Sequence, residues 1–165
     1  MKGSVAILAT VLLATILAGP ASAKGPIIEP LPGDDFVIPA GGACSFPISV
    51  EFLVNREKGI TFLDDEGNFV RQIITGALSY RLTNMGTGTS ITLNMPGPGI
   101  VTPNPGGSVT ITAHGPWVLF DPFGTHMYNA GRTVFIGTFD PDLGVFRIDI
   151  VSQVGHSFDL CEALS

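Results

Sequence analysis

The stretch "FPISVEFLV", residues 46–54, sets the fold class of this chain. Phe46, Ile48, Val50, Phe52 and Val54 are apolar, and the positions between them, Leu53 apart, are shorter or polar. Apolar residues at every second position mark a strand with one face in a core and the other towards water. The same reading extends along the chain. "GITFLD" (59–64) and "FVRQIITG" (69–76) flank Asp64-Asp65-Glu66-Gly67-Asn68, a hairpin loop by composition. "ALSYRLTN" (77–84) and "SITLNM" (90–95) flank Met85-Gly86-Thr87-Gly88. "SVTITAHG" (108–115) and "WVLFD" (117–121) read as a pair around Gly115-Pro116, and "GRTVFIGTFD" (131–140) pairs with "VFRIDIVSQ" (145–153). The segment 96–107, "PGPGIVTPNPGG", reads as a loop without room for a ladder. Only "FDLCEAL" (158–164) reads as a helical turn, with Asp159 as its cap.

These segments make an all-β domain of about eight or nine antiparallel strands in one run of hairpins. An up-and-down meander closing as a barrel is the expected architecture, with a two-sheet sandwich as the alternative. The β domain spans 43–165 and follows a Pro/Gly-rich leader, 24–42.

Residues 1–23 have the layout of a cleaved secretory signal: Lys2, an uncharged apolar run from Val5 to Ala18, a Gly19-Pro20 break and Ala21-Ser22-Ala23. The run is too short to cross a bilayer comfortably, and no cysteine stands at the cleavage point to take a lipid. Export without stable membrane anchoring follows as the expectation, and it decides how the two cysteines are read. In an oxidising compartment an even pair forms a disulfide, and Cys44–Cys161 is the only connectivity. A metal site is a poor reading, because the two lie too far apart for paired zinc ligands.

Without the signal, seven Lys and Arg face fourteen Asp and Glu. Such an acidic chain is a poor partner for nucleic acid or an anionic membrane. His-x-His, His-Glu-x-x-His and Gly-x-Ser-x-Gly are absent, and the Gly-rich loop lacks the lysine and helix of a phosphate cradle. No catalytic residue, metal ligand or cofactor is assigned. Asp64, Asp65 and Glu66 suggest a calcium loop, but they lack the alternating oxygen ligands and closing glutamate of an EF-hand. A tight turn is the better reading, and a similar Thr-Phe…Asp…Gly-x-Phe pattern recurs at 138–146.

The densest candidate site is "HGPWVLFDPFGTHMYNAG", residues 114–131. Trp117, Asp121, His126 and Tyr128 combine aromatic surface with a few polar groups, as small-ligand pockets do. Packing, as a plug or cover for the core, is the better account of such aromatics, and alternation puts Trp117 and Phe120 on opposite faces.

"IPAGGACSFPISVE", the Asp-Asp-Glu-Gly-Asn turn and the closing "FDLCEAL" resemble small secreted proteins of high-GC Gram-positive bacteria that carry no established activity. The resemblance covers roughly 34–165 and implies export and a β domain stapled end to end; it transfers no functional residue. The expected function is a secreted, non-catalytic β module that binds a small ligand, a glycan, or an envelope or host partner. The alternative is a small secreted hydrolase or cyclase-like enzyme with a site in the barrel mouth.

Overall fold

A computed structural model describes residues 25–120, 126–140 and 145–165. The signal expected at 1–23 lies outside these residues. In chain order the strands are β1 (Ile27–Pro30), β2 (Phe36–Ile38), β3 (Ile48–Asn55), β4 (Lys58–Leu63), β5 (Phe69–Thr75) and β6 (Leu78–Asn84). They continue with β7 (Ser90–Asn94), β8 (Gly99–Pro103), β9 (Val109–Phe120), β10 (His126–Asp140) and β11 (Val145–Asp159), and α1 (Leu160–Ala163) closes the chain.

The strands form two antiparallel sheets, one ordered β1-β4-β5-β8-β9-β10-β11 and the other β2-β3-β6-β7. Each has two free edges, so the expected closed barrel gives way to the sandwich-like alternative. The reason lies in the corners. The chain changes sheet between β1 and β2, between β3 and β4, between β5 and β6, and between β7 and β8. Period-two alternation does not distinguish such a corner from a hairpin. The β3–β4 and β5–β6 corners are stacked: the Arg56 N–H donates to the Ala77 carbonyl at 2.8 Å. Gly76, at φ +146°, lies so close that a Cβ would strike the Arg56 carbonyl oxygen.

Hairpins β4–β5, β6–β7 and β10–β11 pair as the sequence suggests. Three segments behave differently. The leader supplies β1 and β2, which pair with β4 and β3 at sheet edges, positions that tolerate its prolines. Within 96–107, β8 is laddered on both sides, to β5 and β9. The expected turn at Gly115-Pro116 is a kink inside one continuous strand, β9. Gly115 takes φ +98° there. It stands in register with Gly131, which faces Gly155 on β11. Side chains at Gly131 or Gly155 would collide with the neighbouring backbone, so this row lets the long strands approach closely as they bend.

The core gathers on the smaller sheet. Ile48 and Val50 of β3, Leu82 of β6 and Leu93 of β7 pack with Leu160 and Leu164 of the C-terminal segment. A bulge between Phe52 and Val54 ends the inward alternation, leaving Val54 38% exposed. Asp159 caps α1 by accepting from the Glu162 N–H at 2.9 Å. Buried Asn84 donates to the Leu164 carbonyl at 3.0 Å, tying the helix end to the β6–β7 turn. Cys44 and Cys161 are bonded, with Cα atoms 5.4 Å apart and 117 residues between them in sequence.

Closing a loop of this size stabilises a fold by at most about 4–5 kcal/mol in the chain-entropy account. Reduction should therefore lower the melting temperature by on the order of 10 °C while the sheet signal in circular dichroism persists at low temperature. An unchanged melting curve under reductant would show that the ring contributes nothing.

Candidate functional site

Three side chains from different elements meet in the space between the sheets. Glu57 sits at the β3–β4 corner. Its N–H donates to Asn55 Oδ1 at 3.1 Å, and its carbonyl accepts from the Leu31 N–H at 3.0 Å. The leader and the corner thus hold its backbone, and the stacked corners leave its side chain half-buried. Burial holds its carboxyl above the ordinary value of 4.5. No hydrogen bond or ion pair engages that carboxyl among the described residues.

Tyr80 on β6 shares its alternating face with Leu78 and Leu82. Its ring stands edge-on to Phe52, 4.6 Å between centroids, in a directly opposed cross-strand pair. The phenol is raised above its usual value, first by burial and then by the nearby Glu57 charge, which places the two groups within electrostatic reach. The Tyr80 hydroxyl makes no hydrogen bond among the described residues.

Trp117 on β9 completes the set. Its Nε1–H donates to Thr133 Oγ1 at 2.8 Å, and Phe135 meets the indole edge-to-face at 4.6 Å. Asn129 Nδ2 donates to the same Thr133 oxygen at 2.6 Å. Asn129 is fully buried, and its Oδ1 has no partner among the described residues.

Two clefts adjoin these groups. The first, about 180 Å³, is bounded by Glu57 and Tyr80 on one side and by Gly97, Pro116, Trp117 and Val118 on the other. None of its lining residues is exposed. The second, about 220 Å³, is lined by Ile111, Ala113, Trp117, Val118, Phe135 and Ile148. Ala113, Trp117 and Val118 wall both. A larger hollow of about 600 Å³ lies against the leader, but most of its lining residues are exposed. It is a surface groove, and size alone does not recommend it.

Of the residues singled out in the sequence, Trp117 lies in the clefts. Asp121 is outside the described residues. His126 and Tyr128 are strand residues of β10, paired with Phe120 and Val118, and their side chains are outside the description. Asp64 is a turn residue: Oδ1 accepts from the Glu66 and Asn68 N–H groups, and Oδ2 from Asn68 Nδ2. No group of three or more potential metal ligands occurs among the described residues. Sequence reasoning missed Glu57 and Tyr80. Alternation with Leu78 and Leu82 does point Tyr80 inward, whereas Glu57 depends on a corner formed by distant segments.

No family model matches this chain, and neither a curated protein nor a solved structure matches it.

A carboxyl held above its unfolded value favours the fold in its neutral form. That contribution is complete below about pH 4.5 and is lost as pH rises through the folded value. Glu57→Gln removes the desolvated charge, so the variant should match or exceed wild-type melting temperature at pH 7. The difference should shrink towards pH 4, in paired thermal melts. A variant clearly less stable than wild type at pH 7 would mean that the carboxylate has a stabilising partner.

Proposed function

We propose that this protein is exported and acts as a non-catalytic binding module, holding a small ligand between its two sheets at Glu57, Tyr80 and Trp117. The observation that carries this reading is the first cleft. It is sheltered, walled mainly by apolar and aromatic groups, and furnished with two polar side chains that the fold leaves unpaired. Unpaired, partly desolvated polar groups cost stability, and a bound molecule that engages them offsets that cost. A glycan is a weaker fit, because so few polar side chains face the space; a small ligand suits both clefts, each below the roughly 300 Å³ at which drug-sized sites begin. Export is supported by the 1–23 pattern and the disulfide. Among the described residues no helix is long and apolar enough to cross a membrane. The resemblance to small secreted proteins of high-GC Gram-positive bacteria points the same way.

Two measurements test the reading. Mass spectrometry of the exported protein should return a chain that begins at Lys24 with its cysteines oxidised; recovery of intact Met1 with membranes would contradict it. Trp117 is the sole tryptophan, so its emission reports directly on the clefts. A screen of small amphiphiles against the oxidised mature protein should find compounds that shift this emission and raise the melting temperature together. A broad screen that moves neither would overturn the binding role.

A further inference from the structure

The two clefts differ in chemistry, and the difference selects a ligand class. Among the described residues Glu57 is the only charged one lining the first cleft, and the Tyr80 hydroxyl is the second polar side-chain group there. Trp117 has already used its single donor on Thr133, so it offers the cleft hydrocarbon and π surface only. The second cleft, on the far side of shared walls, is lined among the described residues by apolar side chains alone.

We propose that the Glu57 cleft takes the ammonium head of a small organic amine, with the ligand's apolar body against Trp117 and Val118, the walls that this cleft shares with the apolar one. This rests on the inter-sheet binding role proposed above. An anion would meet an unpaired carboxylate with no cation among the described lining residues. A neutral alcohol would use one of the two polar groups and leave the carboxylate uncompensated. An ammonium donates to both Glu57 and Tyr80, neutralises the one charge in the cleft and lies beside aromatic faces that attract cations. Burial raises Glu57, and Glu57 in turn raises Tyr80, as expected of a negative site awaiting a positive partner. A cation bound there favours the ionised carboxyl and so opposes the upward shift that burial causes.

Three probes of one chain length separate the possibilities: hexylammonium, hexan-1-ol and hexanoate, titrated at pH 7 into the oxidised mature protein and followed by Trp117 emission and calorimetry. Hexylammonium should bind about tenfold tighter than hexanol, with hexanoate weakest, the scale of one charge pair plus a cation–π contact. In Glu57→Gln, hexylammonium should bind no tighter than hexanol. Hexanol equal to or tighter than hexylammonium in the wild type would overturn the amine assignment while leaving the binding cleft standing. So would a preference for the amine that survives Glu57→Gln. If the variant does not fold, the wild-type ranking decides alone. Failure of all three probes to bind would overturn both the amine assignment and the binding role of the clefts.

Discussion

The burial of Leu160 and Leu164 is the contact from which the rest of this architecture follows. Both side chains are fully buried among Ile48, Val50, Leu82 and Leu93, and each contributes roughly 1.5–3 kcal/mol by removing apolar surface from water. A helix of four residues has no stability of its own. It holds because Asp159 caps its start, Asn84 receives its end and Cys161 is bonded to Cys44. Val118 of β9 and Phe158 of β11 pack against the same cluster, so the large sheet is brought to the small one there. Tyr80 and Val118 touch the cluster and also bound the Glu57 cleft. Solid packing and open space are therefore neighbours, and the filled region sets where the unfilled one can lie.

Much of the strand content was legible because burial imposes a period of two on a half-covered sheet. Ile48 and Val50 on β3, and Leu78 and Leu82 on β6, announce their faces plainly, and so does the cap at Asp159. What remained hidden depends on distant pairing. Residues 27–30 carry no alternation, because an edge strand with every residue exposed needs none. Gly115-Pro116 has a turn's composition, yet with Gly131 opposite the backbone can kink without reversing. Barrel and sandwich share the same alternation, and only the four changes of sheet distinguish them.

The candidate site was half legible for the same reason. Trp117 stood out as the single tryptophan in an aromatic stretch, while Asp121, chosen beside it, lies outside the described residues. Glu57 gave no local sign: in "NREKG" it reads as one more solvated charge. Its character comes from Gly76, Ala77 and Leu31 closing around the corner, contacts that span about twenty or more residues of sequence. A group whose environment is assembled non-locally is invisible to composition and spacing.

The cysteine pair also changes what a protease can do to this molecule. Bonding Cys44 to Cys161 makes residues 44–161 a covalent ring, with β1 and β2 on a tail outside it. A single cut in any loop of the ring leaves one connected molecule with new ends, in effect a circular permutant of itself. A cut just ahead of Cys44 instead releases the tail. Phe52 would then lose the Asp35 carboxylate that accepts its N–H at 2.7 Å and the Phe36 ring beside it. Phe52 supports Tyr80, so a nick in the ring away from Glu57 and Gly97 leaves the cleft lining uncut, whereas trimming of the tail loosens one of its walls.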